Sequence, residues 1–425
     1  MHLKKAIYGL KQAALAWKAV DKSMATLSCM WLVSDSGIFV NKDKSIIIIY
    51  VDDVLFIGAN KTDISSLKQH FMKIWECRDF GDTQEFLCMH IVKLKGHIKI
   101  DQVDYLHKVL QWFNLLNVKA PPTPLPEGYQ PCPSTIPADP ELCSKFQQVI
   151  GSLLYIMIGT QPDIAYAVTK MSQFAAKPNK EHLDQVLNIC HYLLGTSKYS
   201  LVYNGKGGGG LIGFADSDWA SDPITRKSTT GYLVKLANGV FCWNSRAQKS
   251  IALSSTEAEY MLLSDMSRQL VWIHSLFEEL GIQLMPIPLC GDNQGSIFLA
   301  SNLVQEKQFK HIDLCCNSHC NCMPDLGVVC FVGDWWLSWC NVTRPDSTRT
   351  YDSDTRYSHT WSPYRQWQRQ GLLAANGNKE EWKGKKKGNE KGNLASSKAI
   401  DEWDRIEEDQ DGNLGLTTLA LTYSY

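Results

Sequence analysis

The hydrophobic pattern is densest between Ser45 and Ala59. There Ile46-Ile47-Ile48-Ile49-Tyr50-Val51 meets two adjacent acids, Asp52 and Asp53, before Val54-Leu55-Phe56-Ile57-Gly58 resumes it. Runs this short and this rich in Ile and Val predict two strands of a hairpin, with the acids at its turn, where a buried sheet can expose charge. Thr62 to Trp75 predicts a helix with Leu67, Phe71, Ile74 and Trp75 on one stripe. Phe86 to Ile100 alternates around Lys-Gly-His and predicts a second hairpin, and Val103 to Leu116 predicts another helix.

Proline then interrupts the pattern. Half of the 16 prolines lie between Pro121 and Pro140, which predicts a linker or extended arm and not a core element. From Lys145 to Leu194 helical spacing returns, broken at Gln161-Pro162-Asp163 and Lys177-Pro178-Asn179, and Gly207 to Gly210 reads as a flexible joint. Leu211–Trp219, Gly231–Leu236 and Gly239–Asn244 are strand-like. A long helix follows, opened by a capping-box pattern in which Ser254 precedes Glu257 by three, and carrying Leu262, Met266, Leu270, Ile273, Phe277 and Leu280 at helical spacing. Pro286 to Cys290 predicts a fourth strand and Gln294 to Ala300 a further helix. Three strands, a helix, a strand and a helix predict a compact α/β domain with a mixed sheet.

At 425 residues and 44% hydrophobic composition the chain has room for two or three domains with real cores. A net charge of -1 does not mark a nucleic-acid binder, so a basic surface has to be local. One candidate is residues 4–20, where Lys4, Lys5, Lys11 and Lys18 precede any acid; they could line a nucleic-acid backbone or form a solvated helical face. The N-terminus runs into an amphipathic segment and not a secretory leader, and the longest apolar run is too short to span a bilayer. An intracellular location, cytoplasmic or nuclear, without membrane association is expected. The cysteines are scattered singly through the first 300 residues, as suits reduced thiols, and cluster only after Asp313.

Two sets of acids carry candidate chemistry. Paired carboxylates at a hairpin tip, Asp52 and Asp53, can hold divalent cations that activate a hydroxyl and stabilise a leaving phosphate; an acidic turn without function is the alternative. Asp216 in a strand, Glu257 in the first turn of a helix and Asp292 at a strand end each have a local explanation, as loop acid, helix cap and helix start. Jointly, acids on neighbouring central elements can converge on one metal site.

Four phrases together resemble the pol region of copia-type long-terminal-repeat retrotransposons. They are Leu3-Lys4-Lys5-Ala6-Ile7-Tyr8-Gly9-Leu10-Lys11-Gln12; Tyr50-Val51-Asp52-Asp53; Ala215-Asp216-Ser217-Asp218-Trp219-Ala220 with Arg226-Lys227-Ser228-Thr229-Thr230-Gly231-Tyr232; and Ser254-Ser255-Thr256-Glu257-Ala258-Glu259-Tyr260. The resemblance covers roughly the first 310 residues. It implies an α/β (α+β) multidomain chain: a truncated reverse transcriptase palm and thumb over 1–118, a Pro-rich linker and helical connection over 119–206, an RNase H-like domain over 207–314, and a divergent, disordered tail over 315–425. It also implies magnesium at both sites, with Asp52 and Asp53 as the polymerase pair and Asp216, Glu257 and Asp292 as RNase H ligands. Lys4, Lys5, Lys11, Gln12, Arg226 and Lys227 would contact nucleic acid. The implied partners are an RNA template, a DNA primer, an RNA–DNA hybrid and other segments of a pol polyprotein.

Departures from the family qualify that expectation. A strand bearing a further metal-binding Asp precedes the Tyr-Gly-Leu-Lys-Gln phrase in the family, and here only Met1, His2 and Leu3 do, so polymerisation by this chain alone is expected to fail. The family's Gln-Ala-Pro-Arg-Ala-Trp is Gln12-Ala13-Ala14-Leu15-Ala16-Trp17 here, which removes a basic residue. After Leu314 the pattern gives way to Cys315-Cys316-Asn317-Ser318-His319-Cys320-Asn321-Cys322, whose spacing fits no zinc finger or knuckle, and Asp334 is a weak candidate for a fourth carboxylate. The expected chemistry is cleavage of RNA in a hybrid. The alternatives are a non-catalytic nucleic-acid binder and a non-functional relic of an element.

Overall fold

The computed structural model describes residues 11–116, 118–135, 139–205, 210–284, 287–301, 329–332 and 415–421. They form mixed α/β structure with several sheets, in two compact units: one holds 11–87, 271–284 and 415–421, the other 88–270, 287–301 and 329–332.

In the first unit α1 (Lys11–Thr26) leads into β1 (Cys29–Trp31), β2 (Ile38–Asn41), β3 (Ile46–Tyr50), β4 (Asp53–Gly58), α2 (Lys61–Ile74), β5 (Cys77–Asp82) and the short β6 (Glu85–Phe86). The expected acidic hairpin is present as the antiparallel pair β3–β4, with Tyr50 opposite Asp53. Period-two alternation turns Ile47, Ile49, Val54 and Phe56 inward against Ile64, Leu67 and Phe71 of α2, and Phe56 meets Phe71 edge to face at 5.6 Å. The Asn60 side chain accepts from Thr62 N and so starts α2. Ile74, expected on the apolar stripe, is exposed, and Ile64 takes its place.

The second unit begins with the hairpin β7 (Met89–Leu94) and β8 (His97–Asp101), whose turn uses Gly96 at φ +81, a region open to glycine. Helices α3 (Val103–Trp112), α4 (Pro140–Gly159), α5 (Ala165–Ser172) and α6 (Lys180–Gly195) follow, broken at the two expected prolines, and β9 (Leu201–Asn204) returns to pair with β8. Leu106, Val109 and Leu110 of α3 share one core with Phe146, Leu153, Val168 and Ile189, so no packing boundary falls near residue 118. The proline segment is not a free arm either. Leu125 is buried in the same core, and Pro124 O accepts from Asn188 Nδ2 at 3.0 Å. Among the described residues one helix, α4, is long and apolar enough by length and composition to cross a membrane, and its Phe146, Val149, Ile150, Leu153 and Ile156 are buried against the other helices.

The chain continues with β10 (Ile212–Asp218), β11 (Thr229–Leu236), β12 (Gly239–Ala247), α7 (Ser255–Glu279), β13 (Pro288–Gly291), α8 (Gln294–Ser301) and β14 (Val329–Val332), all in this unit except the end of α7 from Val271 on, which is counted with the first. The sheet order is β12-β11-β10-β13-β14: the first three strands are antiparallel, β13 is parallel to β10, and β14 is parallel to β13. This sheet and the helices before it pack as one body, so the expected break at 206/207 does not divide them. Trp243 Nε1 donates to Met157 O at 3.0 Å, and Tyr203 OH donates to Val240 O at 2.7 Å. A Cβ on Gly239 would stand 2.5 Å from the Tyr203 ring and 2.6 Å from Val202 O, so the close approach of β12 to β9 requires glycine there.

The tail, expected to be disordered, supplies two strands. β14 extends the second unit's sheet, and Gly415–Leu421 pairs between β4 and β5 of the first. Both are short apolar stretches whose partners lie far away in sequence, which local composition does not register. The cysteine cluster at 315–322, Asp334 and the glycines at 207–209 lie outside the described residues.

Candidate metal centre

Asp216, Glu259 and Asp292 converge in the second unit, each offering a carboxylate oxygen within 4.8 Å of the others. The fold places each by a separate local rule. Asp216 lies on β10, the central strand, opposite Gly231 of β11. Asp292 follows β13, and continuing the parallel register Gly213↔Leu289 and Phe214↔Cys290 by two residues sets it level with Asp216. Asn293, and not Asp292, caps α8, accepting from Ser296 N at 2.9 Å; this leaves the Asp292 carboxylate free of the capping role.

Glu257, the acid expected from α7, is not in the group, and Glu259 is. Glu257 completes the helix start: its N–H donates to Ser254 Oγ at 3.2 Å, and its Oε2 accepts from Leu253 N at 2.6 Å. Two residues on, a helix has turned by more than half a circle, so only one of the two acids can face the sheet. Glu259 Oε1 accepts from both Ser217 N at 2.8 Å and Ser217 Oγ at 2.7 Å, which ties it to β10. A signal for Glu259 was present in the sequence: stepping back from Met266 and Leu262 on the apolar stripe reaches 259 and not 257.

Crowding of like charges away from water makes the ionised group costly. Burial, with Asp292 and Asp218 nearby, pushes Asp216 up to about 7. Burial, then Asp216 and Asp292, pushes Glu259 up to about 8, against the opposing hydrogen bonds from Ser217. Two residues beyond Asp216, Asp218 is half-buried and raised by that burial, while the buried Lys170 of α5 opposes the shift. Lys170 Nζ also donates to Gln130 Oε1 at 3.1 Å.

An all-carboxylate oxygen set suits a hard divalent cation, and a bound cation would remove the repulsion that raises both acids. On those two observations the residues fit a metal. Among the described residues this is the one group of three such ligands found so close together.

The other expected site residues are placed differently. Asp52 and Asp53 sit at the β3–β4 turn in the first unit. The Tyr50–Asp53 pairing leaves Val51 and Asp52 as a two-residue loop, with Val51 at φ +54, a left-handed conformation unfavourable for a β-branched residue. Asp53 is raised by burial, then by Asp52 and Glu85. Lys11 and Gln12 open α1, and Lys4 and Lys5 lie outside the described residues. Arg226 and Lys227 sit on the loop from β10 to β11. That loop is shaped by Asp222, whose carboxylate accepts from Ile224 N at 2.9 Å and Thr225 Oγ1 at 2.6 Å.

Residues 1–127 match the family described as reverse transcriptase (RNA-dependent DNA polymerase). The retrovirus-related Pol polyprotein from transposon TNT 1-94 of Nicotiana tabacum is 35% identical over 325 residues, covering 73% of this chain and 24% of that protein. That from transposon RE1 of Arabidopsis thaliana is 34% identical over 322 residues, covering 73% and 21%. The uncharacterized mitochondrial protein AtMg00810 of Arabidopsis thaliana is 30% identical over 227 residues, covering 53% of this chain and 93% of its own length. With the acidic hairpin and the acid group in place, these matches define a retroelement protein related to reverse transcriptase. The chain belongs to the pol family of copia-type retrotransposons. It spans less than a quarter of the length of the two transposon polyproteins.

Proposed function

We propose that this chain cleaves the RNA strand of an RNA–DNA hybrid at the Asp216–Glu259–Asp292 group, within an RNase H-like domain built on β10–β14. The observation that carries the reading is the convergence of the three carboxylates within 4.8 Å on a central strand, its parallel neighbour and the covering helix. The family supports a nucleic-acid substrate, and the donor set suits magnesium.

Asp216, Glu259 and Asp292 would hold the cation, which when bound would supply charge stabilisation to a scissile phosphate and acidify water. The chain's own residues supply the rest. Ser217 fixes the Glu259 carboxylate with two donors, so the oxygen facing the group is set before substrate arrives. Lys170 balances Asp218, limiting the negative charge beside a site that must accept a phosphate. Asp52 and Asp53 support a polymerase ancestry for the first unit, in which no third ligand completes a comparable group among the described residues.

The test is hydrolysis of a labelled RNA–DNA hybrid by the whole chain, with magnesium, with chelator, and in Asp216→Asn and Glu259→Gln. Cleavage that needs the metal and both acids is expected. Hybrid binding with steep salt dependence but no metal-dependent turnover would replace the reading with a non-catalytic binder.

A further inference from the structure

The strand that carries Asp216 leads into a surface that the cleavage chemistry does not use. β10 ends at Asp218, and the next residue, Trp219, is 47% exposed although its indole Nε1 is held by Ala252 O at 3.1 Å. That bond fixes the ring against the segment joining β12 to α7, where Ile251 is 51% and Leu253 70% exposed. The β10–β11 loop is closed on itself by Ala220 N, which donates to Ser228 Oγ at 3.1 Å, and is bonded to that segment by Gln248 N, which donates to Ser228 O at 2.8 Å. Three apolar side chains are therefore displayed on two cross-bonded loops.

The charge around them has one sign available for a partner. Arg226 and Lys249 are exposed, Lys227 is half-buried, and none of the three side chains has an ion-pair partner among the described residues. The nearby acid Asp222 is consumed inside its own loop by Ile224 N, Thr225 N and Thr225 Oγ1, which holds it below the usual carboxylate range. The surface adjoins the proposed centre along the chain: Trp219 is three residues from Asp216, and Leu253 N is bonded to Glu257 in the first turn of the helix that carries Glu259.

We infer that Trp219, Ile251 and Leu253 form an apolar platform against which nucleotide bases or sugars of the bound nucleic acid pack, with Arg226, Lys227 and Lys249 on its phosphates. An indole face flanked by two aliphatic side chains and by cations without an ion-pair partner offers a nucleic-acid strand apolar contact for its sugars or exposed bases and countercharge for its phosphates. A protein partner would demand neither the cations nor adjacency to the acids. The inference rests on the nucleic-acid reading above and adds to it the surface that sets where the strand lies relative to the acids.

The experiment is binding of a fluorescently labelled RNA–DNA duplex to the whole chain in chelator, where nothing is cleaved, followed by anisotropy over a range of salt. Trp219→Ala should weaken binding by roughly 5- to 100-fold, as loss of a stacking contact does, and Leu253→Ser should weaken it by less, as loss of aliphatic contact does, neither changing the salt slope. Trp219→Phe should retain binding. Lys249→Ala should lower the slope by about one, the signature of one lost phosphate contact. If Trp219→Ala fails to fold, Leu253→Ser and Ile251→Ser decide, because both side chains are largely in solvent. Parental affinity in folded Leu253→Ser and Ile251→Ser overturns the platform, as does their loss of self-association in place of duplex binding. Failure of the platform with cleavage intact leaves the nuclease reading standing; platform-dependent binding without cleavage sinks the nuclease and keeps the platform.

Discussion

Ser217 gives both its backbone N–H and its hydroxyl to the same oxygen of Glu259, at 2.8 and 2.7 Å, and thereby locks the first turns of α7 to the end of β10. The neighbouring Glu257 is spent on the helix start. The two glutamates therefore carry separable roles, although the sequence presents them as near equivalents.

Glu259→Gln and Asp216→Asn should each lower metal-dependent hybrid hydrolysis by at least about 100-fold, since even residues that only orient metal ligands cost 10- to 100-fold. Glu257→Gln should leave the rate within a few-fold, since it keeps an acceptor for Leu253 N, and Glu257→Ala should remove about 1 kcal/mol of stability through the lost cap. Initial rates and denaturant melts check both. Equal rate losses in Glu257→Gln and Glu259→Gln would break the assignment.

The acid group also makes stability depend on pH in a stated direction. Asp216 and Glu259 are raised to about 7 and about 8 from ordinary values of 3.8 and 4.5, so between those limits the folded chain holds protons that the unfolded chain has released. Stability of the cation-free protein should be greatest at the acid end of that window for these groups, fall as pH rises through it, and level off above about 8. Magnesium competes with those protons, so its increase in Tm should be larger at pH 8 than at pH 5.5, and Asp216→Asn should flatten the difference. Thermal melts at the two pH values settle it. A magnesium shift of the same size at both would count against the site.

Gly239→Ala should destabilise the second unit by about 1–3 kcal/mol, as overpacking does, because the new methyl would meet the Val202 carbonyl at 2.6 Å, a backbone atom that cannot swing aside. Urea unfolding of the variant and parent measures the difference. An unchanged midpoint would show that β9 and β12 can separate freely.

Val51→Gly should stabilise the hairpin by about 0.5–1 kcal/mol. Relief of the left-handed strain, worth about 1–2 kcal/mol, exceeds the extra chain entropy that glycine loses on folding. Val51 is exposed, so little apolar contact is lost. A lower melting temperature would show that valine makes a contact there worth more than its backbone costs.

Much of this was legible from spacing. Short continuous runs rich in Ile and Val at 46–58 pointed to the β3–β4 hairpin, and prolines 162 and 178 marked the ends of helices. Asp216 and Asp292 were readable because each sits at the end of an apolar run. Glu259 was hidden behind Glu257, whose place three residues after Ser254 has a strong local signature, while the position that faces the sheet depends on helix phase carried from Leu262 and beyond. Leu125 was hidden for a related reason: its neighbours are prolines, and the helical core that buries it comes from α3, α4 and α6. The strands Val329–Val332 and Gly415–Leu421 are stabilised by pairing across long sequence separations, so local propensity alone does not single them out.

The glycine run 207–210 invites use as a cut-point for building chimeras, since it separates helices from strands along the chain. The folded seam lies elsewhere. A graft taken from residue 211 onward would carry an indole at Trp243 stripped of its carbonyl at Met157, and a bare β12 edge shaped by Gly239 to receive β9. A transplantable cassette has to begin near Cys88, where the chain first enters this body, and will therefore bring the helices with the acids as a single heritable piece.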